Sequence, residues 1–275
     1  DPSVMVNAPA LIHLRKAGPA VYRLGLNIGR LATRHWSNPV RGLRRREGLR
    51  PECDPVFRDK FSPYLVLALF SRWFAAAQKD WPPQTVQPGF VFFEDRDVDA
   101  ASLSRAAEFL SSGDASIVFT QGSTAVHNPG RFYEVSVAAA RRVGRKAVLL
   151  GGRTNLEEAP DWLALPYAPY SRIFPHAAVV VHQGGSGTVG EALRSRRPML
   201  IVPYGWDQPD NAARIERLGV GLHIARTNYS VDTAAAALQS LLDDPQFSRR
   251  ASEVGGQVAA EDGLTGACDA IESVL

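Results

Sequence analysis

From residue 116 onward, short apolar blocks alternate with longer amphipathic stretches. Ser116-Ile-Val-Phe-Thr120, Lys146 to Leu150, Ala177-Ala-Val-Val-Val181, Met199 to Val202 and Val220 to Ile224 are nearly continuous apolar runs, the pattern of strands buried on both faces. Between and after them, Phe132 to Val143, Thr188 to Arg196, Pro209 to Leu218, Ser230 to Leu242 and Gln246 to Ala260 read as helices. Strand and helix in turn predict an α/β fold, a Rossmann-like parallel sheet flanked by helices on both faces. No internal repeat or low-complexity tract interrupts it.

Upstream the pattern changes. Val21, Leu24, Ile28 and Leu31 recur at spacings of three and four, with Arg23, Arg30 and Arg34 placed elsewhere, which predicts helices over the first ~50 residues. Pro39 and Pro51 punctuate them, and Tyr64-Leu-Val-Leu-Ala-Leu-Phe70 reads as a short buried strand. The run Asp80-Trp-Pro-Pro-Gln-Thr-Val-Gln-Pro-Gly-Phe90 reads as a connector at a domain boundary.

With 275 residues, 45% of them apolar, the chain can bury a full core. Its net charge of +3 is small, but the distribution is uneven. Arg15, Lys16, Arg23, Arg30, Arg34, Arg41, Arg44, Arg45, Arg46 and Arg50 are opposed over that stretch by Glu47 alone. Two readings stay open for this basic region of residues 15–50: solvated helix faces, or a patch meeting anionic lipid with Trp36 and Trp73 dipping into the interface. Nucleic acid is not expected as a partner, since no recognition motif accompanies the charge. Cys53 and Cys268 lack metal or disulfide spacing. No apolar run approaches the ~18 residues of a membrane span, and the N-terminus lacks the order of a signal peptide. A cytoplasmic protein, with or without peripheral membrane contact, is the expectation.

The predicted strands end in three informative loops: Gln121-Gly-Ser-Thr124, His182-Gln-Gly-Gly-Ser-Gly-Thr188 and Gly205-Trp-Asp-Gln-Pro-Asp-Asn211. In parallel sheets, ligands sit beyond the carboxyl ends of the strands. A glycine-rich turn opening a helix is an anion site, because free N–H groups and the helix dipole favour phosphate. The acid–amide pair Asp207-Gln208 suits sugar hydroxyls. Phosphate cradle and sugar clamp together point to a nucleotide-sugar donor site.

These loops, in this order, resemble the C-terminal domain of GT-B glycosyltransferases of the UDP-glycosyltransferase superfamily, nearest to bacterial and sterol glucosyltransferase-like members. The resemblance rests on Phe119-Thr-Gln-Gly-Ser-Thr124, Tyr167-Ala-Pro-Tyr-Ser171, Phe174-Pro-His-Ala-Ala-Val-Val-Val-His182, Gly184-Gly-Ser-Gly-Thr188, Pro198 and Asp207-Gln-Pro-Asp-Asn-Ala-Ala-Arg214, and covers roughly residues 60–260. It implies that Tyr167 stacks on the nucleobase beside the Ala168 backbone. It implies that His182, Ser186, Gly187, Thr188 and Ser123 hold the diphosphate, Glu191 the ribose, and Asp207 and Gln208 the transferred sugar. Each has a plainer alternative: a buried strand-end histidine for His182, core for Tyr167, an ordinary turn for Ser123, an exposed helix acid for Glu191, and an N-cap for Asp207. His127, His176 and His223 read as structural or surface residues, and His13 and His35 sit in no motif.

The sequence also departs from the family. Tyr170 replaces the plant glutamine, and Gly185-Ser186-Gly187 replaces the plant Trp-Asn-Ser. Counted forward from His182, Gly190 takes the acid's place; counted back from Pro198, Glu191 does. The family's catalytic base, a histidine near the start of an N-terminal Rossmann-like domain, has no counterpart here, so the catalytic residue is unassigned. The expected layout is an incomplete acceptor-domain end at 1–80, a linker at 81–97, a donor-binding domain at 98–262 and a C-terminal helix at 263–275. The implied activity is inverting, metal-independent transfer of a hexosyl group, glucose in the first instance, from a UDP-sugar to a hydroxyl of a small apolar acceptor such as a sterol, lipid or natural product. No cofactor and no metal are expected, the UDP-sugar being a co-substrate. The alternative is a non-catalytic nucleotide-sugar-binding auxiliary or one half of a split enzyme.

Overall fold

The computed structural model describes residues 18–50, 54, 59, 61–79, 81–93, 100–122, 130–151 and 159–275. Its centre is a six-stranded, all-parallel sheet. The strands are β3 (Ile117–Thr120), β4 (Ala147–Leu150), β5 (Trp162–Leu165), β6 (Val179–His182), β7 (Met199–Ile201) and β8 (Gly221–His223), in the spatial order β5-β4-β3-β6-β7-β8. The order reverses between β3 and β6, which pair in register Ile117 with Val179 and Phe119 with Val181. A crevice opens at such a reversal beyond the carboxyl ends of the strands.

Successive residues on a strand face opposite sides of a sheet, and the core divides accordingly. Ile117, Phe119, Ala147, Leu149, Val179, Val181 and Leu200 pack against α4 (Phe132–Arg142) and α7 (Val231–Asp243). Val118, Val148, Leu150, Val180, Met199 and Ile201 pack against α5 (Ser186–Arg194), α6 (Gln208–Leu218), α8 (Pro245–Ala259) and Ala106 of α3 (Ala100–Ser111). By this alternation His182, two residues after Val180, points to the α5 side. Burying a large aliphatic side chain contributes about 1.5–3 kcal/mol, so both layers hold the sheet rigid under the loops at its edge.

Several boundaries differ from the sequence expectation. Helix α5 begins at Ser186, because extended Gly185 (φ −63, ψ 143) occupies the N-cap position and Ser186 already takes the first turn. It ends at Arg194, because Arg196 adopts a left-handed backbone (φ 61) that no helix continues. The strand expected over residues 64–70 shrinks to β1 (Val66–Leu67), paired parallel with β2 (Thr85–Val86). Its partner is as short, and the Phe70 N–H turns back to the Ala68 carbonyl at 2.8 Å. Strand β5 and helix α3 were not foreseen: Trp162-Leu-Ala-Leu165 is a brief edge strand, and the serines and alanines of α3 blur its apolar stripe.

The segment before the sheet packs onto its α5 side. Phe74 and Phe90 belong to that core, and Ser71 Oγ donates to Glu261 Oε1 at 3.1 Å. Phe90 also packs against Gly190 of α5, where a Cβ would stand 2.8 Å from the ring. Helix α9 (Gly263–Glu272) lies against residues 88–90: a Cβ on Gly263 would stand 2.2 Å from the Phe90 carbonyl oxygen. At the other end, α1 (Pro19–Ala32) and α2 (Asn38–Arg46) are amphipathic, with Leu24, Ile28, Leu31 and Leu43 exposed.

Candidate functional site

A cavity of about 1400 Å³ opens at the carboxyl edge of the sheet. Thr120 closes β3, Leu150 closes β4, residues 166–171 follow β5, residues 183 and 185–188 follow β6 and residues 206–208 follow β7, and all line it. Phe90 to Phe93 form the facing wall.

Ser186, Gly187 and Thr188 make the first turn of α5 and sit on the cavity surface. The N–H groups of a first helical turn have no intrahelical acceptor, and a Cβ built on Gly187 meets nothing within 4 Å. Gly184 is needed for a different reason. Its φ is +90, and a Cβ there would stand 2.8 Å from Ile201 Cγ2, so only glycine gives this turn its left-handed path. Among the described residues, the wall thus offers an anion a helix N-terminus lined by small residues.

His182 is the last residue of β6. It is fully buried and is not part of the cavity wall. Its Nδ1 accepts the Gly184 N–H at 3.1 Å, which leaves the ring proton on Nε2. Nε2 has no hydrogen-bond partner among the described residues. Burial pushes its pKa down to about 3, so the ring is neutral. Strand alternation turns the side chain beneath α5, where it pins the glycine turn. The neighbour that reaches the wall is Gln183, itself 4% exposed and set against Gly122 and Gly185.

At the other end, Tyr167 is 52% exposed and Ala168 is buried, and both line the cavity. Tyr170 stacks on Phe174 with ring centroids 4.4 Å apart. Its hydroxyl lies 3.0 Å from Thr120 Oγ1 and also bonds Thr188, tying β3 to α5. Burial, and secondarily the Glu191 charge, raise its pKa above the ordinary phenol range. Glu191 lines the cavity and is not an exposed helix acid, its side chain being 14% exposed and paired with Arg194 at 2.9 Å. Arg194 in turn stacks over Phe92 at 4.1 Å. Of the two positions left open by counting, Glu191 is on the wall and Gly190 lies under Phe90.

Asp207 holds the N-cap position of α6, yet its side chain caps nothing. Its Oδ2 accepts instead from Asn211 Nδ2 at 2.9 Å, and the same amide donates to the Gly184 carbonyl at 2.8 Å. Asn211 thereby locks the acid loop to the glycine turn. Gln208 is buried, and its Oε1 accepts the N–H groups of Tyr204 and Gly205 at 2.7 and 3.2 Å, so it shapes the loop while touching the cavity. Ser123, with His127, lies outside the described residues. No histidine is among the cavity-lining residues described, and no group of described residues has the make-up of a metal site.

The domain family described as "Erythromycin biosynthesis protein CIII-like, C-terminal domain" matches residues 145–271, the stretch that carries most of this cavity. The chain is 35% identical over 239 residues to an O-mycaminosyltylonolide 6-deoxyallosyltransferase of Streptomyces fradiae, covering 85% of the chain and 55% of that protein. It is 32% identical over 197 residues to sterol 3-beta-glucosyltransferase UGT80A2 of Arabidopsis thaliana, covering 70% of the chain and 31% of that protein. The chain belongs to the UDP-glycosyltransferase superfamily.

Its fold is that of the superfamily's GT-B structures. The spinosyn rhamnosyltransferase SpnG complexed with thymidine diphosphate superimposes with a TM-score of 0.63 at 20% identity, over 77% of this chain and 57% of that one. This superfamily chain spans about half the length of the first relative and of SpnG, and a third of the plant protein. Four wall residues escaped the sequence reading: Gln183, Trp206, Thr120 and Tyr170. For Tyr170 there was a signal, since an aromatic ring stands where plant relatives carry an amide.

Proposed function

We propose that the chain is the donor-binding part of a glycosyltransferase that moves a hexosyl group from a nucleoside-diphosphate sugar to a hydroxyl of an apolar natural-product or sterol-like acceptor. What carries the reading is one convergence. An exposed aromatic (Tyr167), a helix N-terminus with its small residues (Ser186 to Thr188) and an anchored carboxylate (Asp207) line a single cavity at the switch point of the sheet. Base, diphosphate and sugar follow one another in that order along a nucleotide sugar. In this reading the α5 N–H groups and dipole offset the charge that grows on the departing diphosphate, and Glu191 faces the ribose. An acceptor hydroxyl, deprotonated by a base from outside the described wall, attacks the anomeric carbon in line, with inversion and without a metal.

The S. fradiae relative is named for a 6-deoxyhexosyl transfer and the plant relative for glucosyl transfer to a sterol. UDP and dTDP are therefore both tested as the nucleotide. Titration calorimetry of the chain with UDP, dTDP, UDP-glucose and dTDP-glucose should show binding of at least one nucleotide, and little turnover by the chain alone. A folded sample that binds none of the four overturns the donor-site reading, and robust transfer by the isolated chain overturns the external base.

One observation supports a further contact. Leu24, Ile28 and Leu31 are exposed along one face of α1 beside a series of arginines. Such a face lies into an anionic lipid surface. Among the described residues no helix is long and apolar enough to cross a membrane. Co-sedimentation with phosphatidylserine vesicles but not phosphatidylcholine vesicles is expected; equal recovery with both refutes the contact.

A further inference from the structure

Trp206 stands where neither backbone preference nor the core explains a tryptophan. Its φ is 60, in the left-handed region that bulky residues avoid. Its side chain is 81% exposed, so it contributes little to the interior. Yet it forms part of the cavity wall immediately beside Asp207.

The kink has a geometric result. In an extended chain, consecutive side chains point to opposite sides, so Trp206 and Asp207 would not both face one cavity. The left-handed turn at Trp206 puts both on the same wall. Two anchors hold the turn from behind: Gln208 Oε1 takes the N–H groups of Tyr204 and Gly205, and Asn211 Nδ2 takes Asp207 Oδ2 and the Gly184 carbonyl. The strained backbone is thus over-determined, as it is at sites where strain serves a ligand.

A flat indole next to a fixed carboxylate matches the two chemistries of a pyranose. The ring edge carries hydroxyls that a carboxylate accepts from, and the ring face carries C–H groups that pack on an aromatic surface. We propose that Trp206 is a specificity-determining residue, its indole being the platform on which the face of the transferred sugar rests while Asp207 takes its hydroxyls. This rests on the donor-site reading above and adds to Asp207 a second residue that distinguishes a nucleotide sugar from a bare nucleotide.

The test compares how much the sugar adds to affinity. Titrations with UDP against UDP-glucose, and dTDP against dTDP-glucose, are run on the unmodified chain, on Trp206→Phe and on Trp206→Gly. Glycine adopts φ near +60 without strain, so Trp206→Gly is expected to unfold at the same temperature or higher. Bare-nucleotide affinity should stay within about twofold, while the sugar's added affinity falls roughly 3- to 10-fold in Trp206→Gly and is largely kept in Trp206→Phe. An unchanged sugar increment in Trp206→Gly overturns the proposal. So does an unmodified chain that binds nucleotide and gains nothing from the sugar, although the nucleotide site then stands. If the unmodified chain binds no nucleotide, the donor-site reading itself fails and the platform with it.

Discussion

The buried His182 makes a quantitative prediction about acid stability. Its imidazole has an ordinary pKa of 6.5 in the unfolded chain and about 3 in the fold, where burial denies it a charge. The sign follows from proton uptake. Below pH 6.5 the unfolded chain takes up a proton that the folded chain refuses, so this group's contribution is complete above pH 6.5 and is lost as pH falls toward 3. Each pH unit in that window costs about 1.36 kcal/mol. Between 6.5 and pH 5 the loss is therefore about 2 kcal/mol, a sizeable share of a domain's total stability.

His182→Asn isolates this term. Asparagine keeps an acceptor for the Gly184 N–H but cannot titrate. At pH 7 the smaller side chain should cost about 2–3 kcal/mol through lost packing. Urea unfolding of parent and variant at pH 7 and pH 5, followed by tryptophan fluorescence, gives the two stability differences. The other titrating groups are common to both proteins and cancel in the comparison. The parent's advantage should shrink by about 2 kcal/mol on acidification. A gap that stays constant refutes the neutral, buried assignment. Because the ring is outside the wall and uncharged, UDP affinity of the variant at pH 7 should remain within about threefold, where loss of a charged hydrogen bond would cost 1.5–3 kcal/mol.

Three further variants probe other parts of the site. Gly190→Ala places a Cβ 2.8 Å from the Phe90 ring; overpacking should lower stability by about 1–3 kcal/mol in thermal or urea unfolding, and an unchanged midpoint would show that α5 and Phe90 are not in contact. Tyr167→Ala removes an exposed ring, so stability should hold within about 0.5 kcal/mol while calorimetric nucleotide affinity falls by about 1–3 kcal/mol; full affinity would remove its base-stacking role. Asn211→Ala strips the Gly184 carbonyl of its side-chain partner and releases Asp207, so stability should drop by about 1–3 kcal/mol and nucleotide-sugar affinity should fall more than nucleotide affinity, equal falls arguing against the anchoring of Asp207.

The parts that were legible in the sequence share a physical cause. Val179-Val-Val181, Ala147 to Leu150 and Met199 to Ile201 are buried on both faces, and such strands announce themselves as unbroken apolar runs. Once the strands are placed, the loops after them must line the carboxyl edge, and Tyr167, Ser186, Asp207 and Gln208 do. What was hidden depends on direction, not identity. His182 is adjacent to the glycine turn in sequence, but the two-residue period of β6 sends its ring under α5. Trp206 is visible as a residue, whereas its left-handed backbone is imposed by bonds from Gln208, two positions on. Strand β5 is short and at the sheet edge, where burial writes a weaker pattern.

Helix geometry explains why Glu191, and not Gly190, reaches the cavity. An α-helix advances 100° per residue. On α5 this puts Val189, Ala192 and Leu193 toward the core, where all three are buried, and Ser186, Gly187 and Thr188 on an arc that faces the cavity. Continuing the rotation, residue 191 falls between Gly187 and Thr188, in the middle of that arc and one turn further along. Residue 190 falls between Ser186 and Gly187, toward the rim where Phe90 packs and where a side chain has no room. An acid at 190 would have to displace Phe90 to reach the cavity; at 191 it arrives there by the pitch of the helix alone. Under the donor-site reading proposed above, a nucleotide with its phosphates at the first turn of α5 would present its ribose one turn along, toward Glu191. Arg194, paired with that carboxylate and stacked on Phe92, holds the acid in place.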